Sequence, residues 1–324
     1  MNVNRLEFCR GAAVILTAAC AAVPLAARGQ TLTPLTVGGS PIDSYKTVYY
    51  ARQAGIFRKY GLDVTPTIIN SGTAALSALA GGSIQVAFTS LFGVIEAHAR
   101  GINFQIVAPA QAYSSDAPTA GLLVRKDSTI KTGADFNGKT IASLALKDLN
   151  ALATLAWIDR NGGDSKTVKV IELPVAALLP ALTEGRIDGM TTTPPFLDQA
   201  VASGSARILA KSYDALAKHF YASIFVATKD YVDKNRDTMS RFARAMHESI
   251  VYTNAHLPET VDLVASYSGI PASVIANSNR ATAGEYVDTR DVQPLIDVAV
   301  RYGLIPTGFS ADDLISPTAL RSQR

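Results

Sequence analysis

Two hydroxyl pairs, Thr89-Ser90 and Thr192-Thr193, are the residues whose types and placement point most directly to chemistry. Each closes the same succession of a β-branched strand, a small-residue helix, a glycine stop and a second strand. Setting 68–91 against 171–194 gives identities at Ile68/Ile171, Ala74/Ala177, Leu76/Leu179, Ala78/Ala181, Leu79/Leu182, Gly82/Gly185, Ile84/Ile187 and Thr89/Thr192. Ordinary composition would give about one or two. Hydroxyl groups at equivalent strand ends can hold a ligand by hydrogen bonds. No G-x-S-x-G segment and no pair of carboxylates accompanies them, so nothing here announces acyl transfer or general acid–base work. The histidines, His98, His219, His247 and His256, show no metal-ligand spacing, and neither a metal nor a cofactor is expected.

The elements that must position these groups follow from the pattern around them. Leu35-Thr36-Val37 reads as a first strand, and Gly38 to Ser44 as a glycine-loosened, hydroxyl-rich loop before a helix over about Tyr45–Ala54, with Ser44 as its N-cap. Helix starts present unpaired N–H groups and partial positive charge, which suits an anionic or carbonyl-bearing ligand. Asn70-Ser71-Gly72-Thr73 opens the next helix. In the second repeat the counterparts are the Leu146–Asn150 turn and Thr192-Thr193-Pro194-Pro195-Phe196, whose two prolines are expected to hold the backbone extended. Candidate ligand contacts are therefore Ser40, Asp43, Ser44, Tyr45, Asn70, Ser71, Gly72, Thr73, Thr89, Ser90, Lys147, Asn150, Thr192, Thr193 and Phe196. A single Ser or Thr in a turn more often caps a helix, so the reading rests on the matched pairs. Tyr45, Tyr49, Tyr50, Phe92, Tyr113, Phe196 and Tyr221 fall near strand ends, where one or two could stack on a ligand although such rings are usually core. Lys46 and Lys147 each follow a cleft loop, and a solvated surface position is the plainer expectation for both.

Alternation of strands and helices with glycine stops is the grammar of parallel sheets. The fold expected is α/β with two lobes, each a mixed, mainly parallel sheet flanked by helices, joined by two hinge crossings. Lobe 1 takes 30–115 and 226–324, and lobe 2 takes 116–225. The crossings are placed at Pro109–Pro118 and His219–Ala227. Met239, Phe242, Ala243, Met246 and Ile250 recur at helical spacing and should face a core. The later helices should pack back on lobe 1.

Of the 324 residues 48% are hydrophobic and 18% charged, a globular balance. Arg5 and Arg10, the apolar run Gly11–Ala27 and the small residues before Gln30 have the layout of a secretory signal peptide over 1–29. Lipid anchoring at Cys20 is not expected, because Thr17 stands where a branched aliphatic residue is wanted. Both cysteines, Cys9 and Cys20, lie in this leader, so the mature chain would lack thiol chemistry. The formal charge of +3 includes +2 from the leader (Arg5, Arg10 and Arg28 against Glu7), which leaves no basic excess for nucleic acid.

The run Tyr49–Val64, with its A…G.F…GLDV pattern, resembles the nitrate/sulfonate/taurine-type substrate-binding proteins of ABC importers, also called thiamine-pyrimidine-synthase-like. The same resemblance extends to Ser71-Gly72 before an Ala-rich helix, to Leu182–Asp188 and to Val124–Ala142. It implies a bilobed periplasmic-binding-protein fold of type II and a monomeric periplasmic receptor that hands a small solute to permease subunits. It also implies ligand contacts from Ser40–Ser44, Asn70–Thr73, Thr89, Ser90, Leu146–Asn150 and Thr192–Phe196. The solute would be a small organic anion or an aromatic or heterocyclic molecule, bound without conversion. The alternative is a cysteine-independent enzyme on the same fold acting on a pyrimidine or sulfonate-like compound.

Overall fold

A computed structural model describes residues 31–322 apart from Lys147. The expected leader with Cys9 and Cys20, and the candidate Lys147, lie outside the described residues. The chain opens with β1 (Thr33–Gly39), α1 (Lys46–Gln53), α2 (Ile56–Lys59), β2 (Leu62–Ile68), α3 (Gly72–Ala80), β3 (Val86–Ser90), α4 (Leu91–Ala99) and β4 (Phe104–Pro109). It continues through β5 (Ala112–Ser114), β6 (Gly121–Arg125), β7 (Thr140–Ser143), α5 (Leu149–Arg160), β8 (Lys169–Glu172), α6 (Val175–Thr183), β9 (Gly189–Thr192), α7 (Phe196–Ala202) and β10 (Ala206–Ala210). Then come β11 (His219–Tyr221), β12 (Ser223–Thr228), α8 (Lys229–Lys234), α9 (Arg236–Ala255), α10 (Val261–Ser268), α11 (Ala272–Ala276) and α12 (Thr289–Arg301).

The strands build two five-stranded sheets with equivalent orders, β2-β1-β3-β12-β4 and β8-β7-β9-β6-β10. In each the first three strands are parallel and the fourth runs antiparallel to both its neighbours. In the first sheet that fourth strand is supplied from a distance, since β12 follows the whole of the second sheet, whereas the second sheet takes all five strands, β6 to β10, from one continuous stretch. The mixed α/β architecture read from the sequence is the one formed. Between the sheets β5 pairs with β11, Tyr113 opposite Phe220, so the two connecting segments lie side by side. The expected division at residue 225/226 falls inside β12, which belongs to the first sheet from Ser223 onward.

The repeat seen in the sequence persists down to single hydrogen bonds. Shifted by the Ile68/Ile171 offset, α3 falls on α6 and the start of β3 on the start of β9. Both helices end through a positive-φ glycine, Gly82 (φ 73–75 with its twin) and Gly185, as their lack of a Cβ permits. Ser83 N–H reaches Ala78 O at 2.9 Å and Arg186 N–H reaches Ala181 O at 2.9 Å. Gln85 Oε1 accepts the Thr36 N–H at 2.9 Å and, at the same place in the second sheet, Asp188 Oδ2 accepts the Thr140 N–H at 2.9 Å.

Packing follows the periodicities. Met239, Phe242, Ala243, Met246 and Ile250 are all buried on α9, beneath β2 and β4. Burying each large apolar side chain contributes about 1.5–3 kcal/mol. α10 packs on α1 and α12 on α4, as expected, but α11 meets α7 of the second sheet. Phe196 at the start of α7 is the reason, for it packs on the cluster of Val264, Ile270 and Ile275. The Pro194-Pro195 bond is cis, and Pro195 adopts a helical conformation at the start of α7, where an extended run was expected.

Removing either strand-capping side chain, by Gln85→Ala or Asp188→Ala, should lower unfolding free energy by about 1 kcal/mol. Because the two caps serve different sheets, the double variant should lose the sum of the two, read as denaturant midpoints at unchanged m-value. Strong non-additivity would mean that the two repeats do not carry these bonds independently.

Candidate functional site

Three helix starts meet between the sheets, at the carboxyl ends of the parallel strands. α3 is capped by Ser71, whose Oγ accepts the Ala74 N–H at 3.2 Å; α4 by Ser90, whose Oγ accepts the Gly93 N–H at 3.3 Å. α5 is capped by Asp148, whose Oδ1 accepts the Ala151 N–H at 2.7 Å while Ser143 Oγ donates to both carboxylate oxygens at 2.7 and 2.8 Å. Burial pushes the Asp148 carboxyl above its ordinary range, and the Ala151 N–H and Ser143 hydroxyl oppose that rise. The starts enclose a cavity of about 100 Å³. Its first wall is Ser40, Ile42, Ser71–Thr73, Phe88–Ser90 and Gly93, its second is Leu144, Ala145, Asp148–Asn150 and Thr193, and Gln111, Tyr213, Ala222 and Ser223 form the floor near the β5–β11 ribbon.

The polar groups of this wall divide into spent and unspent. Asn150 Oδ1 accepts the Tyr213 hydroxyl at 2.8 Å, Gln111 donates its side-chain amide to Thr119, and Ser223 Oγ accepts the Gln111 N–H at 3.2 Å. Ser40, Thr89 and Thr193 are 7%, 3% and 7% exposed, and their hydroxyls make no hydrogen bond to the described residues. Gly72 lets the two elements approach closely, for a Cβ there would lie 2.7 Å from Thr89 Oγ1 and displace that hydroxyl. The start of α3 therefore presses directly on the end of β3, and its N–H groups open beside a free hydroxyl.

Eight of the fifteen candidates, Ser40, Ser71, Gly72, Thr73, Thr89, Ser90, Asn150 and Thr193, line this cavity. Thr192 and Phe196 line a separate one under α6. Asn70 is exposed and lines neither. Ser44 is not the expected N-cap: it sits in a single 3-10 turn before α1, buried and with its hydroxyl unpartnered. Tyr45 is fully buried, its hydroxyl donating to Val37 O at 2.6 Å and its ring packed among Phe88, Phe225 and Tyr49. Of the seven aromatic candidates none lines the central cavity. Tyr49 instead stacks on Tyr267 at 4.5 Å and Tyr50 on Tyr252 at 4.6 Å. Asp148 lies in the expected Leu146–Asn150 contact turn but was not singled out there, although it caps α5. Gln111 and Ser223 fall within the two expected crossings without having been read as lining residues, and Tyr213 was missed; the β5–β11 pairing helps bring Gln111 and Ser223 to the cavity.

Asp43 and Lys46 also have another use than the one expected. Both are buried, with Lys46 Nζ 3.3 Å from Asp43 Oδ2 and Arg280 Nη2 2.7 Å from Asp43 Oδ1. The Ala281 N–H reaches Asp43 Oδ2 at 2.6 Å and Lys46 also donates to Ala281 O. Burial alone would raise the Asp43 carboxyl; Lys46 and Arg280 overcome this and hold it below its ordinary range. Burial lowers Lys46, and the Asp43 charge offsets only part of the effect. Across the sheets from this cluster stands Asp198 on α7, with Oδ2 buried and unpartnered. Desolvation, then the Asp43 charge, pushes its carboxyl up to about 6.

A family model described as NMT1/THI5 like matches residues 44–260. The chain belongs to this family. An Escherichia coli (strain K12) protein named for binding aliphatic sulfonates is 26% identical to this NMT1/THI5-like chain over 64% of it, a stretch spanning 63% of that relative's own length. Among solved structures, the periplasmic aliphatic sulphonate binding protein SsuA from Escherichia coli superposes with a TM-score of 0.70 at 22% identity, over 88% of this chain and 97% of that one. The periplasmic nitrate-binding protein NrtA from Synechocystis PCC 6803 gives 0.73 at 16% identity, over 85% and 83%. The NMT1/THI5-like chain thus has the fold of the periplasmic binding proteins. Among the described residues no helix is long and apolar enough to cross a membrane, and no His/Cys/Asp/Glu group could hold a metal ion.

An acid raised from 3.8 to about 6 in the folded protein binds its proton more tightly when folded. The charged form at Asp198 therefore costs stability at neutral pH, and that cost declines as pH falls below about 6 and is gone below the unfolded value of 3.8. Asp198→Asn should melt higher than the parent at pH 7.5, with the difference shrinking toward about pH 4. Parallel melting curves across that range would remove the burial and the Asp43 charge as determinants.

Proposed function

We propose that the protein is an extracytoplasmic solute-binding protein of an ABC importer, capturing a small organic anion or an aromatic or heterocyclic solute without converting it. The observation that carries this is the cavity into which α3 and α4 of one sheet and α5 of the other open, with free buried hydroxyls from both sides. N–H groups at helix starts favour a carboxylate, sulfonate or similar anion, and the hydroxyls of Ser40, Thr89 and Thr193 supply hydrogen bonds beside them. Phe88 on the first wall and Leu144 and Leu149 on the second give the cavity an apolar part for the body of the solute. Membership of the family and the binding activities for which its relatives are named support the reading. A leader over 1–29, export to the periplasm, a monomeric state and docking to permease subunits belong to the same proposal.

In this proposal the two sheets with their helices act as lobes hinged at the β5–β11 ribbon. A solute touching both walls stabilises the closed arrangement by the sum of those contacts, and the permease recognises that shape.

A thermal-shift screen of the purified protein against alkanesulfonates, nitrate, aromatic carboxylates and pyrimidines should find a stabilising solute. At a hundredfold excess over Kd the gain is about 2.7 kcal/mol. Thr89→Val and Thr193→Val should each weaken that solute about fivefold, the worth of one hydrogen bond, with folding unchanged. Unchanged affinity in both would take the hydroxyls out of the site. A changed mass for the bound solute after incubation would overturn capture without conversion.

A further inference from the structure

The offset that relates the two repeats carries the wall of the central cavity onto a second cavity. Gly72, Thr73, Thr89 and Gly93 map to Val175, Ala176, Thr192 and Phe196, and all four of these line a cavity of about 200 Å³ between α6, β9 and α7. The position is the same, and the chemistry has changed. Where the first repeat opens its helix with Ser71-Gly72-Thr73, the second has Pro174-Val175-Ala176, which removes the capping hydroxyl and one N–H donor. The remaining wall is Leu178, Leu179, Pro180 and Met190, with Gln199 at the edge. One polar group is kept: Thr192, identical to Thr89 in the repeat, is 1% exposed and its hydroxyl makes no hydrogen bond to the described residues. Thr192 and Thr193 are consecutive and point to opposite sides, one into each cavity, so the two spaces share no lining residue.

We propose that this second cavity is a small-molecule site in its own right, taking an uncharged, mainly apolar molecule with a single hydrogen-bonding group directed at Thr192. The side chains of this wall are mostly aliphatic and none carries a counter-charge, so an uncharged occupant is favoured, because burying an unpaired charge is far more costly than burying a hydroxyl. A buried hydroxyl without a partner, in turn, favours an occupant with one polar group over a pure hydrocarbon. The site stands independently of which solute the central cavity takes.

Phenol has this chemistry and serves as the probe, and Met190 is a reporter built into the wall. In the full chain carrying ¹³C-methyl methionine, the Met190 signal should shift saturably with phenol, while Met239 and Met246, packed in the core of the other sheet, stay in place. Ala176 is exposed at the rim, so Ala176→Phe can fill the mouth without disturbing the core and should weaken phenol by more than about tenfold. Thr192→Val should weaken phenol about fivefold and leave toluene unchanged, because only phenol offers a partner to the lost hydroxyl. Native Met239 and Met246 shifts verify that each variant is folded. A Met190 signal that does not move, one that moves linearly without saturation, one that moves together with Met239 and Met246, or phenol binding unaltered by Ala176→Phe would each overturn the proposal.

Discussion

The carboxylate of Asp43 has been taken almost wholly out of water, and that single constraint organises one rim of the central cavity. A charge so placed has to be matched, and Lys46, Arg280 and the Ala281 N–H match it from two parts of the chain far apart in sequence. Breaking a buried pair from one side typically costs about 3–5 kcal/mol, because the remaining charge is stranded. The loop that carries Ser40 and Ile42 is thereby fastened to the segment that follows α11. Arg280 continues the fastening to Leu257 O and Thr260 Oγ1, so the C-terminal helices are tied to the first loop after β1. A rim held this rigidly has little order left to lose, and preorganised sites save binding energy in this way.

What could be read in advance is what local pattern determines. The repeat was legible because helix, glycine turn and strand all leave short-range marks, and Gly82 and Gly185 end their helices in the conformation those marks imply. The hydroxyl ends of β3 and β9 were legible for the same reason. The division of labour at those ends was not, since neighbouring residues on a strand face opposite ways and only the packing of α6 and α7 decides what each side meets. Asp43, Lys46 and Tyr45 show the other limit. Their types suit a binding loop, yet Arg280 and Ala281, more than two hundred positions away, turn two of them into structural ions. The ring of Tyr45 goes to a core that also uses Phe225.

The two halves of the repeat have kept their backbone and diverged in their surfaces. Gln85 and Asp188 make the same bond to the same strand, and the helix-ending turns coincide hydrogen bond for hydrogen bond. The helix starts differ: Ser-Gly-Thr offers donors and lets the chain approach closely, while Pro-Val-Ala closes both possibilities. Backbone geometry is held by the sheet, and the rim is free to change because its residues contribute little to the core. Such separation of scaffold from site is what lets one architecture host many ligands.

The late return of β12 to the first sheet has a consequence for the order of assembly. Strand β12 sits between β3 and β4, although all of 110–222 intervenes before it in the chain. A polypeptide emerging amino end first cannot seal its leading sheet until Ser223–Thr228 arrives, and a gap stays between two strands that are already made. Contacts of such long sequence separation form slowly. The second sheet draws all its strands from 121–210 and can close on its own, whereas the first stays open until β12 is made, so the amino-terminal sheet is the later of the two to be completed.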